Sequence, residues 1–573
     1  AISNAEISDT VTFDPNVFPP GNPVSINLTS ELPMIITNGL TIDASNAGVI
    51  LSGQELTGTE NGLSIDAISV TVRGLRIVHF PGIGIHMRCV GCVIGGDRTI
   101  GDGLLGQGNL ISGNGQDGIC LWGNNNIVSG NYIGTDVLGE AAFGNQWDGI
   151  DLREGKNNVI GGETVGERNL ISGNGFNGIQ LGGDGRSVGD VFSSTVSGNY
   201  IGTDVSGKGA IGNGGDGIRL AGLSTDNSMI GGDTPAERNL ISGNGEAGIY
   251  LIRAENNDIR GNYIGTDISG EVALGNGRDG IWIDQDSSHN LIGADSSKSG
   301  NVIAFNLANG VALGDERIAG NRISHNSIHS NALEGISDYR SLMPPRLGAR
   351  SGDIITGIAP ANTTIEIFSD DHAEGRLFEW ETQADAIGVF TFTKKGFRWP
   401  HVTATATDVE GNTSEFGILI GPPPCVVTST AEMGAGTLRR CLLSASRTIS
   451  FAHSAFPPDD PATITLQSAL PPVFMDHLLI DGSDAGVVLN GQELTGRENG
   501  LDIDRAINVT VRGLQIVNFP GTGIYVWDCV GCVIGGDATI GSGLLGQGNL
   551  ISGNRQDGIW LKGNNNTISG NYI

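Results

Sequence analysis

The chain has 573 residues, a formal net charge of −30, 92 glycines, 5% aromatic residues and only 16% charged residues. That surplus of carboxylates argues against nucleic acid and anionic membranes as partners, because both are held by Lys and Arg, and a polyanionic sugar would need a bridging cation. No run of about 18 apolar residues is present to span a bilayer, and so much Gly with so few aromatics suits a solenoid, whose coils each bury only a thin apolar stack.

A long internal repeat organises the chain. Residues 13–66 match residues 451–504 at an offset of 438, and after single-residue insertions near Arg505 and Trp527 the match continues at 440 to residue 573. The chain therefore reads as one period of about 440 residues plus the opening third of the next. Ala1 falls opposite Arg439, inside the element 425–446 (CVVTSTAEMGAGTLRRCLLSAS), so the expectation is a segment of a longer tandem array.

Residues 1–341 are predicted to form a parallel β-helix. The unit NLISGNGFNGIQL at 169–181 recurs at 109–121, 239–251 and, loosened, 301–313. Its apolar residues alternate with small or polar ones, and Gly and Asn interrupt the alternation, which is strand, turn, strand with no helical period. Strands of the form Gly-Ile-x-Leu begin at Gly118, Gly149, Gly178, Gly217, Gly248 and Gly280, with degenerate forms at Gly310 and Gly335. With earlier turns at Gly39, Gly62 and Gly82 the total is roughly eleven rungs, or about 50 Å at about 4.8 Å per rung. Crossover connections make the coil right-handed. Three loops of equal length, 135–145, 203–213 and 266–276, are ejected to form a ridge, and Asn126, Asn158, Asn257, Asn290 and Asn321 recur at one turn as a structural ladder.

Residues 342–421 carry short β-branched strands with turn signals, a small β-sandwich. The prolines of 422–424 are a stiff linker, and 422–573 hold an opening motif and the first coils of a second β-helix. The fold class is thus all-β: β-helix, sandwich, β-helix.

The NLISGN, GNYIGTD and DGIxL units resemble bacterial right-handed parallel β-helix repeat proteins. GAGTLR at 434–439, with VTST before it and TISF after it, is similar to the motif that opens many secreted β-helices, and residues 353–416 resemble a bacterial Ig-like domain. The resemblance implies this fold and a secreted or cell-surface setting. These families are defined by repeats, so no functional residue follows from it.

Asp117, Asp148, Asp216 and Asp279 precede the Gly-Ile-x-Leu strands and read as turn residues. Asp136, Asp204 and Asp267 in the ejected loops are the calcium candidates, since each loop could fold into an oxygen cage. Outward positions of the Gly-Ile-x-Leu sheet read Cys120, Asp151, Gln180, Arg219, Tyr250 and Trp282, flanked by Trp122, Arg153, Arg253 and Asp284. Carboxylate, amide, guanidinium and ring suit a glycan, and Asp151, Arg153, Gln180, Arg219, Tyr250, Trp282 and Asp284 are the candidate glycan-binding set. In the second copy Cys120 becomes Trp560 and Trp122 becomes Lys562, so that rung holds no fixed chemistry. His325 and His329 fall in a poorly patterned coil, and no role is read for them.

Cys89 and Cys92 reappear as Cys529 and Cys532, each pair being a local disulfide or two buried thiols, whereas Cys425 and Cys441 bracket the opening motif and suit a bridge in an oxidising setting. Cys120 is left over. With no complete catalytic set, the leading reading is a structural extracellular array, a stalk, sheath, fibre or adhesin, whose partners are further copies of itself. The alternative is a polysaccharide lyase, hydrolase or non-catalytic glycan binder using the outer face.

Overall fold

The computed structural model describes residues 2–573 except 184–189, 295–298, 315–317, 339–341, 349–353, 371–373, 395–397, 399–400, 418–424 and 444–447, and of 222–224 the backbone only. The proline linker 422–424 and the expected boundaries at 341/342 and 421/422 lie at or outside these limits. Among the described residues no helix is long and apolar enough to cross a membrane.

The first part is a right-handed parallel β-helix. Two sheets of eleven strands run its length, and a third has ten strands in file with Val191–Phe192 set beside them, pairing with Ile150–Lys156 and Ile218–Asp226. Within the unit around Asn169, Leu170–Ile171 belongs to the second sheet and Ile179–Leu181 to the third. Ile179 and Leu181 point inward at 0% exposure, stacked on Ile150 and Leu152 before them and Ile218 and Leu220 after them. The glycine ahead of each such strand is there because a Cβ on Gly178 would lie 2.6 Å from the carbonyl oxygen of Gly217 in the next coil.

The Asn ladder is present, and it is one of three. At the expected turn Asn126 bonds Asn158, the hydroxyls of Ser194 and Ser228 continue the column, and Asn257, Asn290 and Asn321 complete it. The left-handed residues are those just before, such as Asn125 and Asn157 (φ 58° and 56°), and not the ladder residues themselves. Cys92 extends the same column, its sulfur accepting the Val70 N–H at 3.2 Å. A second ladder runs from Asn109 through Asn131, Asn169 and Asn199 to Asn326, and a third from Asn114 through Asn145 and Asn174 to Asn331.

The ejected loops do more than form a ridge. Val137, Val205 and Ile268 lie over an apolar outer cluster of Leu110, Tyr132, Leu170, Tyr200 and Leu240, so the middle strands of the second sheet are buried on both faces. Val205 N–H donates to Gly139 O and Ile268 N–H to Gly207 O, which stacks loop on loop. Arg98, Arg168 and Arg238 cover Tyr132, Tyr200 and Tyr263 at 4.9, 4.1 and 4.0 Å.

Two three-stranded antiparallel sheets follow, with Ile355, Ile365, Ile367, Phe390 and Phe392 between them. This sandwich sits on the last coil and takes up the free edge of every sheet. Thr413 and Glu366 accept the N–H groups of Ile323 and His325, Gly375 pairs with Ile328, and Glu415 accepts the Asp338 N–H. His325, which the sequence left without a role, lies in this joint, its ring 4.3 Å from that of Phe378. The second β-helix starts at strand Cys425–Val427 and the short helix Leu438–Leu442, capped by the Thr437 hydroxyl. Its core, from Val427 to Ile551, repeats that of the first.

Candidate functional site

The outward residues of the third sheet form a single file because parallel pairing is in register. His86 stands beside Cys120, then Asp151, Gln180, Arg219, Tyr250 and Trp282 follow on successive rungs. Direction is as expected from the alternation; accessibility is not. Cys120 is 1% exposed, Asp151 and Gln180 are 5% exposed and Tyr250 is 6% exposed, each being sandwiched between the rungs on either side.

At the early end Asp117, Cys120 and Asp151 bring ligand-type atoms within 4.8 Å of one another. Burial, helped by the charges of Asp151 and Asp148, pushes the Asp117 carboxyl up to about 8, so it is protonated at neutral pH. Burial first, then Asp151, pushes the Cys120 thiol to about 12. The positive charge this pocket needs is already supplied: Arg153 bonds Asp151 through Nε and approaches Asp117 Oδ2 at 3.5 Å through Nη2. The guanidinium thus balances the charge of Asp151 beside the protonated Asp117. The Asp residues before the strands act as turn residues, Asp117, Asp148, Asp216 and Asp279 each accepting a backbone N–H from the following coil through Oδ1.

The later end is arranged differently. Arg219 lies 3.6 Å from Asp216 and 4.8 Å from the centre of the Tyr250 ring. Tyr250 stacks on Trp282 at 4.3 Å and 10°, and Arg278 lies 4.2 Å from the indole. The Tyr250 hydroxyl donates to Asp284 Oδ2 at 3.4 Å. Trp282 and Asp284 stay partly exposed, and Gly314 keeps their edge uncrowded, since a Cβ there would lie 2.7 Å from the indole nitrogen and 3.2 Å from Asp284 Oδ1. Arg253 is exposed and reaches Gln285 Oε1 at 3.3 Å. Arg278 was missed because only strand positions were read; it stands two residues before Gly280, in the turn.

The second helix builds the same kind of stack from other residues. Trp560 faces Tyr525 at 4.6 Å and Trp527 at 5.6 Å, and Lys562 Nζ lies 4.2 Å from the Trp527 ring centre. Tyr525 and Trp560 stand where the first helix has His86 and Cys120.

No family model matches the chain, and no curated protein matches it. Among solved structures it is similar to the A-module of Azotobacter vinelandii mannuronan C-5 epimerase AlgE4, at 14% identity over 53% of this chain and 72% of that one, with a TM-score of 0.36. A mutant of the periplasmic alginate epimerase AlgG is similar at 13% identity over 55% and 70%, TM-score 0.28. The ORF18 protein of Geobacillus virus E2 is similar at 11% over 68% and 66%, TM-score 0.28. Identities and scores of this size bring no activity with them.

The loop aspartates close their own loops. Asp136 Oδ1 accepts the Glu140 and Ala141 N–H groups, Asp204 Oδ1 the Ser206 hydroxyl and the Lys208 N–H, and Asp267 Oδ1 the Ser269 and Val272 N–H groups. Among the described residues none of the three belongs to a group of three or more converging His, Cys, Asp or Glu side chains. The structure joins Cys425 to Cys441, with Cα atoms 5.5 Å apart, and also Cys89 to Cys92 and Cys529 to Cys532. Cys120 is the one free cysteine.

Proposed function

We propose that the outer face of the third sheet binds glycan chains without turning them over, in an extracellular or cell-surface setting. The observation that carries this is the partly exposed Trp282 and Asp284 beside Tyr250, with Arg253 and Arg278 at the rim, on a face where the second helix also builds an aromatic and cationic stack. A carboxylate and guanidinium groups engage sugar hydroxyls, ring edges supply apolar contact, and a rung spacing of about 4.8 Å is close to one pyranose unit. The ring faces are taken up by each other, so contact is through edges. Binding is favoured over turnover because Asp117, the carboxyl of this face raised to about 8, is sealed at 1% exposure.

Retention on immobilised glycans is the test, with alginate in the panel and calcium present or absent, since a polyanion meets an acidic chain. Trp282→Ala is expected to weaken retention about tenfold, about 1.4 kcal/mol, with no new chain ends released. Unchanged retention in that variant removes the proposal, and release of unsaturated or reducing ends would replace it with an enzyme.

We also propose that the chain is a building block of an array in which β-helices alternate with Ig-like modules. Support comes from the way the sandwich takes up all three free edges of the last coil, because an uncovered end would aggregate through its strands. Negative-stain images of native material are expected to show filaments with an axial repeat of one helix plus one sandwich; isolated short rods would sink this reading.

A further inference from the structure

Cys120 is outside every disulfide and is fully enclosed on the outer file of the third sheet. A lone buried thiol behaves as a small apolar residue, but this one has two carboxyl groups as neighbours. Asp117 stands in the turn before its own strand, and Asp151 is its register partner on the following rung. An oxygen of each lies within 4.8 Å of the Cys120 sulfur and of the other. All three residues are buried, with exposures of 1%, 1% and 5% for Asp117, Cys120 and Asp151.

The hydrogen bonding of this trio is incomplete at one atom. Asp117 Oδ1 accepts the Asp148 N–H at 3.2 Å, but Asp117 Oδ2 is buried without a hydrogen-bond partner. Arg153 stops 3.5 Å short of it and spends its hydrogen bond on Asp151 Oδ2. Oδ2 is therefore turned toward the side on which the other carboxylate of the trio lies. Buried polar atoms in native folds are nearly all paired, and an orphaned one marks a place where a partner belongs.

We infer that Asp117, Cys120 and Asp151 form a binding site for a thiophilic divalent cation of the zinc type. One sulfur and two carboxylates suit such an ion, whose ligands stand about 2.0–2.3 Å from it, whereas calcium would need six to eight oxygens. The trio supplies three corners of a tetrahedron, and small side-chain rotations bring groups already within 4.8 Å onto one ion. Ligands bind deprotonated. The ion therefore takes the place of the protons on Cys120 and Asp117, which pass to solvent, and a double charge replaces two single ones while Arg153 keeps its pair with Asp151. The partly exposed Arg153 marks the side from which an ion enters. The equivalent coil of the second helix retains the aspartate as Asp557 but has Trp560 in place of Cys120, so it lacks the sulfur. The site depends neither on glycan binding nor on the array.

Cobalt(II) is the probe, because a thiolate ligand gives it a charge-transfer band in the near ultraviolet. The full chain, stripped with a chelator and kept free of reductant, is expected to bind about one equivalent with that band, and zinc but not calcium should displace it. Cys120→Ser should abolish the band. Asp117→Asn, which retains an acceptor for the Asp148 N–H, should weaken cobalt binding at least about tenfold, with the circular dichroism unchanged in both variants. Asp136→Asn, in an ejected loop, should bind as the parent does. A parent chain that shows no such band in excess cobalt overturns the inference without recourse to any variant. So does a band that survives in Cys120→Ser, or an Asp117→Asn chain that binds cobalt as tightly as the parent.

Discussion

Replacing Asn169 by Ala is expected to cost the first β-helix about 3–5 kcal/mol. The side chain is completely buried. Its Oδ1 accepts from the backbone N and the Nδ2 of Asn131 at 2.9 and 3.1 Å, and its Nδ2 donates to Val128 O and Asn199 Oδ1 at 2.8 and 2.9 Å. Truncation leaves groups on three neighbouring residues unmatched in a column closed to water, and each unmatched buried group costs about 1–3 kcal/mol before relaxation. Asn169→Asp fares no better, because it keeps the acceptor, loses both donors and buries a charge. The comparison is Asn22→Ala, at an exposed position, with an expected change within about 0.5 kcal/mol. Urea unfolding followed by hydrogen exchange in the strands around Asn169 reads the difference; equal losses in the two variants would mean that the ladder does not hold the coils together.

Gly161→Ala should be at least as damaging, about 4 kcal/mol or more, or enough to prevent a soluble folded chain. Two effects coincide. Gly161 has φ +102°, where L side chains are strained, and a Cβ would stand 1.9 Å from Ser197 O and 2.7 Å from the Asn199 side chain. The next coil cannot retreat, because Asn199 Nδ2 donates there to Ile160 O at 2.9 Å. Gly95, Gly231 and Gly293 repeat the geometry, with φ of 96°, 94° and 108° and a Cβ at 1.8–1.9 Å from the following coil. Gly21→Ala is the control, since a Cβ there meets nothing within 4 Å. Limited proteolysis and soluble yield decide it: a Gly161→Ala chain as protease-resistant as Gly21→Ala would show that coil spacing adjusts more readily than this packing allows.

Both predictions concern residues whose identity was plain in the sequence and whose role was only half legible. The ladder through Asn126 could be read because its members stand in similar turns. The ladder through Asn169 was hidden inside NLISGN, where Asn looks like turn punctuation. Its partners are separated by 22, 38, 30, 40, 23, 39 and 25 residues in turn, so no fixed period reveals it. The columns become continuous only when loops of unequal length are ejected and the strands are laid in register.

The outer stripe shows the same division. Alternation placed Cys120, Asp151, Gln180, Arg219, Tyr250 and Trp282 on one outward file, since side-chain direction is a property of the strand itself. Whether each is reachable depends on residues in other coils. Arg153 joins Asp117 and Asp151 in a closed, self-neutralising pocket, whereas Gly314 leaves Trp282 and Asp284 uncrowded at the other end. The candidate calcium ligands Asp136, Asp204 and Asp267 are likewise turned toward amides and hydroxyls of their own loops, a matter of loop closure that composition does not reveal.

By itself, then, the sequence determined the coil: the period-two alternation, the glycines between strands and the long repeat are local or translational features, and parallel strands that repeat can only stack. The tertiary structure decided exposure, partner and protonation, including the sealed Asp117, the partly exposed Trp282 and the sandwich seated on the last coil of the first helix. These depend on atoms brought together from coils tens of residues apart or from the adjoining sandwich, and their burial sets the strength of every charge and hydrogen bond among them.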